Sequence, residues 1–241
     1  MHRINYIISI GRRCNTDDFL DRFKLRRFSS PFAYLLVDFA TSIHLIDTAF
    51  ANYFTKIIKH TTNSLMYNKI WRFTKTFYYN SHFTTLCDDY VYNFKSFLMW
   101  NHHDPISDSQ TFKRRISRTL DILEKYPETT LLFYIDKIHI AENINDTVKI
   151  VIEKFNTLSI SCKLCYIIPI ENCSTTTLPN IVFSNNSINV ISFPSNSLDN
   201  LYKQIVQNDK APLLDCDVKD SCNDFNSLYS LLNCTYLFDL K

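Results

Sequence analysis

Glycine is what this sequence lacks. Of its 241 residues only Gly11 is glycine, where average usage of about 7% would give about 17. A single glycine excludes the glycine-rich phosphate cradles, since neither G-x-x-x-x-G-K-[ST] nor G-x-G-x-x-G can be written with it. It also makes Gly11 informative. Abundant Asn, Ile, Lys, Tyr and Phe show a bias that has replaced glycine wherever another residue fits. Gly11 therefore marks a position without room for a Cβ, through positive φ or close backbone approach.

Long apolar runs are missing too: none approaches the roughly 18 residues of a membrane span, and the segment Ile4 to Ile10 is too short for a signal-peptide core. No sign of charge dominates. With 26 Lys and Arg against 24 Asp and Glu, the net charge of +2 gives no global electrostatic case for nucleic acid or a membrane as partner. A cytoplasmic protein is expected, and there the eight cysteines are free thiols rather than a disulfide framework.

What is present is a hydrophobic content of 46%, 15% of the chain being aromatic, enough for a substantial core in one α/β domain over residues 1–241. Residues 4–10 read as a buried strand ending at Gly11. Thr16 reads as the N-cap of a helix with Asp17 and Asp18 in its first turn and Phe19, Leu20 and Phe23 inward. Ser29-Ser30-Pro31 ends that helix, and apolar residues from Phe32 to Ile57 then recur at helical spacing to about residue 59. Residues 65–100, with Phe77-Tyr78-Tyr79 and Tyr90-Val91-Tyr92, form an aromatic-rich insertion that fits short strands or helical turns equally. A basic amphipathic helix runs from Ser107 or Ser109 to about Lys125, stopped by Pro127.

Beyond it come a strand at Leu131–Ile135, a helix over 141–158 and a strand at Lys163–Ile168. Short strands follow at 181–183 and 188–191, then a helix over 198–208 and an apolar tail at 228–237. The alternation predicts a three-layer αβα domain, with a mainly parallel Rossmann- or flavodoxin-like sheet and helices on both faces.

Ligands of such sheets bind beyond the carboxyl ends of the strands, which is where the Gly11 turn and Cys14 fall. A thiol near a helix amino end, with Arg12 and Arg13 beside it in sequence, has its thiolate favoured by the helix dipole and nearby cations. Cys14 is thus the best nucleophile candidate, against the plainer reading of a small thiol packing a turn. A base is offered by His102 or His103, with Asp104 to orient it. Alternatively these are ordinary loop residues, and no third ligand is visible that would make them a metal site. Arg114, Arg115 and Arg118 could clamp an anionic group or form a solvated helix face. Cys162 and Cys165 read as structural, strand alternation turning them to opposite faces. No cofactor is implied.

The stretches Ile8-Ser9-Ile10-Gly11-Arg12-Arg13-Cys14, Leu25-Arg26-Arg27-Phe28-Ser29-Ser30-Pro31-Phe32-Ala33-Tyr34 and His102-His103-Asp104 resemble the S-L-G-x-x-C, L-R-x-x-S-x-P-F-D-W and H-H-D patterns of a bacterial and viral family called papain-like cysteine peptidases. That resemblance spans roughly residues 4–136. It implies Cys14 as nucleophile and His102 or His103 as general base; Ser9, Gly11 and Arg12 beside the thiol are read as substrate-binding residues. Ala33 and Tyr34 depart from the family's Asp and Trp. The thiol's place after the first strand is also similar to the nucleophile position of SGNH-type hydrolases and acyltransferases of glycans. The expected substrate is therefore a peptide, an acyl ester or a glycan ester. The alternative is a catalytically inactive module binding an anionic ligand.

Overall fold

The computed structural model describes residues 2–12, 14–61, 76–84, 96–100, 103–136, 144–171, 179–195 and 222–241. The strands are β1 (His2–Ile4), β2 (Tyr6–Ser9), β3 (Leu36–Val37), β4 (Ile57–Thr61), β5 (Thr76–Asn80), β6 (Leu98–Trp100), β7 (Thr130–Ile135), β8 (Lys163–Glu171), β9 (Asn180–Ser184), β10 (Ile188–Ser195) and β11 (Tyr236–Phe238). The helices are α1 (Cys14–Arg22), α2 (Phe39–Asp47), α3 (Ser109–Lys125), α4 (Ile144–Phe155) and α5 (Cys222–Thr235).

The fold is mixed α/β. A five-stranded sheet has the order β2-β7-β8-β10-β9, parallel except for β9. Period-two alternation divides its side chains between two cores. Leu132, Tyr134, Leu164, Tyr166 and Val190 pack with Phe39 and Ile43 of α2, Phe112 and Leu123 of α3, and Val151 and Phe155 of α4. Leu131, Phe133, Cys165, Ile167 and Ile191 pack with Phe19 and Leu20 of α1 and Leu228 and Leu232 of α5. Helices therefore cover both faces, and these runs are apolar throughout because both faces are buried. A small antiparallel sheet, β3-β6-β5-β4, occupies part of the segment between α1 and α3.

Several local expectations change. The strand expected over 4–10 is two: β1 pairs with β11 and β2 with β7, the chain switching at Asn5. The helical spacing from Phe32 to residue 59 yields helix only over Phe39–Asp47, followed by turns and then β4. The cause is local: Ala49 and Phe50 both take positive φ, and the Phe50 and Ala49 amides bond to the Leu45 and Ile46 carbonyls, a Schellman closure that stops the helix. Helix α3 begins at Ser109, one of the two expected starts. Within the aromatic-rich insertion the described portions include β5 and β6. The helix expected over 198–208 lies outside the described residues. Among the described residues no helix is long and apolar enough to cross a membrane.

Candidate active site

Gly11 follows β2 with φ +112°. A Cβ built there would lie 2.6 Å from Val37 Cγ1 and 3.0 Å from the Val37 carbonyl oxygen, so both reasons for a glycine apply at once. The turn is held by its carbonyls, four in succession. Ser30 Oγ donates to the Ser9 carbonyl (2.6 Å), Ser42 Oγ to that of Ile10 (2.6 Å), Thr16 Oγ to that of Gly11, and the Val37 amide to that of Arg12 (3.3 Å). Groups from four separate places in the chain thus fix one short stretch of backbone, which satisfies acceptors that would otherwise be buried and unpaired. Ser9 itself is buried.

Helix α1 starts at Cys14, two residues before the expected cap. Thr16 is not the N-cap but lies in the first turn, where its hydroxyl donates to Gly11 and accepts from the Ile135 amide at 3.2 Å. A threonine used this way ties the helix start to the ends of two neighbouring strands, and Cys14 becomes the first residue of the helix.

Arg12 turns to the carboxyl ends of β7 and β8, where it donates to Asp136 at 3.0 Å, with Tyr166 OH on the other Asp136 oxygen at 2.6 Å and the Phe97 ring 5.1 Å away. Its charge is compensated there. Arg13 and His102 lie outside the described residues.

His103 is half-buried, edge-on to the Phe112 ring at 5.5 Å, and its Nδ1 lies 3.5 Å from Asp108 Oδ2. The neighbouring Asp104 is engaged elsewhere: it accepts from Tyr78 OH at 2.8 Å and from the Ile106 and Ser107 amides at 2.9 and 3.2 Å. Burial opposes its ionisation, but these bonds outweigh that and hold its carboxyl below the usual range. The carboxylate beside His103 is therefore Asp108. Sequence reading missed it, because nothing in the spacing marks a residue five positions on.

The three arginines of α3 do not act alike. Arg114 and Arg118 are exposed, the latter over the Phe28 ring at 5.6 Å. Arg115 lies over Phe112 at 5.2 Å, and its Nη1 is buried without a hydrogen-bond partner among the described residues. Burial lowers its pKa, partly offset by Tyr53 and by Asp17 on α1. Phe112 thus touches both His103 and the arginine that faces α1.

In sequence Asp17 is a first-turn acid of α1. It is fully buried. Its Oδ2 accepts from the Tyr34 amide at 2.9 Å, and its Oδ1 lies 3.4 Å from Arg26 Nη1. Burial pushes its carboxyl up to about 6, against the lowering effects of the Tyr34 amide, Arg26 and the Ser9 hydroxyl.

Cys162 and Cys165 belong to the cores on opposite faces of the sheet, and burial pushes both thiols up to about 12. Both are protonated at neutral pH. Among the described residues no group of three His, Cys, Asp or Glu side chains could hold a metal ion. Two clefts, of about 410 and 320 Å³, open at α2 with Lys154 and at the start of β8. Neither is lined by the Gly11 turn.

A mainly parallel sheet with helices on both faces, and a small antiparallel sheet beside it, define a mixed α/β protein whose first helix begins at Cys14. The chain belongs to the family described as "Putative papain-like cysteine peptidase (DUF1796)", which it matches over residues 5–164, about two thirds of its length. The match runs from β2 into β8 and contains the Gly11 turn, α1 and His103. No curated protein matches the chain.

Proposed function

We propose that the chain is a cysteine-dependent hydrolase, a peptidase as its family's name says, with Cys14 as nucleophile and His103 or His102 as base. The observation that carries this reading is the position of Cys14: it opens α1 directly beyond the pinned Gly11 turn, inside the family match. The amino end of a helix favours a thiolate, through its dipole and free amides. Asp108 beside His103 supports the histidine as a base, because a carboxylate orients an imidazole and stabilises its charged form.

In the proposed reaction the histidine takes the thiol proton and Sγ attacks the substrate carbonyl carbon, forming a C–S bond. Collapse of the tetrahedral intermediate breaks the C–N or C–O bond as the histidine returns the proton to the leaving group. Water, deprotonated by the same histidine, then cleaves the thioester and regenerates the thiol. Amides at the start of α1 would bind the developing oxyanion. The helix layers on both faces and the strand-end thiol also fit an SGNH-like arrangement, which favours acyl esters among the substrates. Arg114, Arg115 and Arg118 would serve substrate anions.

Two assays test it: release of p-nitrophenol from p-nitrophenyl acetate, and new peptide termini in a mixed peptide library. Wild-type protein is expected to act in at least one, with loss of about a hundredfold or more in Cys14→Ala and in one of His103→Ala and His102→Ala. Equal rates in wild type and Cys14→Ala would contradict it.

A second reading draws on Ala33, fully buried where the family's pattern has Asp. A binding module for an anionic ligand would be silent in both assays. It would lose affinity for an anionic ligand on Arg114→Ala, Arg115→Ala or Arg118→Ala and keep it on Cys14→Ala.

A further inference from the structure

The buried acid Asp17 lies in α1 three residues beyond Cys14, just under one helical turn along the backbone. Its surroundings come from five stretches of the chain, of which β2 contributes the Ser9 hydroxyl. From α1 itself come Asp18 and, through Arg26, Asp21. The chain after α1 contributes Arg26, the turn before β3 contributes Tyr34, and α3 contributes Arg115. Arg26 bridges the group: its Nε bonds to Asp21 at 2.6 Å, its Nη2 to Tyr34 OH at 3.2 Å, and its guanidinium lies 5.1 Å over the Tyr34 ring. Tyr34 OH in turn donates to Asp21 at 3.1 Å.

The consequence is mechanical as well as electrostatic. Residues 30–34 are fastened at one end to β2, through Ser30 on the Ser9 carbonyl. At the other they are fastened to α1, through the Tyr34 amide on Asp17, and Tyr34 is held at φ 60°. Remove the Asp17 acceptor and one fastening is gone.

We infer that Asp17 is a positioning residue of the cysteine site: it clamps the Ser30–Tyr34 turn against the start of α1 and, by its own ionisation, sets the charge that residue 14 experiences. The inference rests on the proposed role of Cys14. A negative charge one turn away disfavours a thiolate, so ionised Asp17 restrains Cys14 and neutral Asp17 releases it. With the carboxyl at about 6, the change falls in the range where a cysteine hydrolase works.

Two readouts test this on the full chain. The first is the Tyr34 amide resonance of ¹⁵N-labelled wild-type protein against pH, which reports Asp17 ionisation whether or not Cys14 reacts. The second is the rate of iodoacetamide labelling at Cys14, mapped by mass spectrometry across the same pH range, in wild type and Asp17→Asn. The Tyr34 amide is expected to titrate with a midpoint near 6, and the Cys14 labelling profile to show the same inflection. In Asp17→Asn the inflection disappears and labelling at neutral pH is about three- to tenfold faster. Identical Cys14 profiles in the two proteins would overturn the inference while leaving the nucleophile in place. Should Asp17→Asn fail to fold, a wild-type Cys14 profile without an inflection at the Tyr34 midpoint would overturn it equally. Cys14 labelling no faster than Cys234 at every pH, with the Tyr34 titration intact, would overturn the nucleophile reading and this role with it.

Discussion

Lys24 and Ala49 show what scarcity of glycine does at single positions. Each sits just past a helix with positive φ, 56° and 50°. Behind Lys24 the Leu25 amide bonds to the Leu20 carbonyl and the Lys24 amide to that of Asp21, the two bonds of a Schellman motif. Leu20 and Leu25 pack in the same core, the apolar contact that accompanies it. A side chain at such a position costs roughly 1–2 kcal/mol relative to an unstrained conformation. Lys24 is exposed, so replacing it removes no packing. Lys24→Gly is therefore expected to stabilise the protein by about 1 kcal/mol in urea unfolding; a loss of stability would contradict the assigned backbone. Gly11 is the opposite case, where neighbours leave no space for any substituent.

Helix α1 carries the proposed nucleophile, and its pH response follows from Asp17. The folded-state carboxyl is raised to about 6, against an unfolded value of about 3.9. Between those values the native state holds a proton that the unfolded state has lost, so this group's contribution to stability falls as pH rises from about 4 to about 6. Above that range both states are ionised and the cost is constant, about 2–3 kcal/mol. Asp17→Asn abolishes the dependence. The stability difference between variant and wild type, from urea titrations at pH 4 and pH 7, is expected to move toward the variant at the higher pH. A difference independent of pH would contradict the burial of an ionisable acid at this position. Asp38 shifts in the same direction and Asp47 and Asp104 in the opposite one, which is why the difference is the quantity to measure.

At the scale of the molecule, the parallel strands were legible because both their faces are buried and the runs are apolar, β-branched and bounded. The Gly11 turn was legible because a residue that survives a compositional bias must be needed. Less could be read where side chains do two jobs. Thr16 looks like a cap in sequence, yet its hydroxyl serves Gly11 and Ile135 across the chain. Asp17 looks like a helix-dipole acid, yet it is the buried acceptor for Tyr34. Asp104 stands next to His103 in sequence but bonds Tyr78, while Asp108 comes near the imidazole because the turn ahead of α3, closed by the Asp108 amide on the Asp104 carbonyl, folds it back. Pairings between distant segments, such as β1 with β11 across nearly the whole chain, leave no periodicity to find.

The central claim is that Cys14 is an activated thiol. Iodoacetamide labelling of the native protein at neutral pH, resolved cysteine by cysteine, tests it most directly. Cys162 and Cys165 are internal controls, buried and protonated, and Cys234 is an exposed one. The account predicts that Cys14 is modified at least about tenfold faster than Cys234, and that the advantage falls in His103→Ala or His102→Ala. Modification of Cys14 no faster than Cys234 would contradict it.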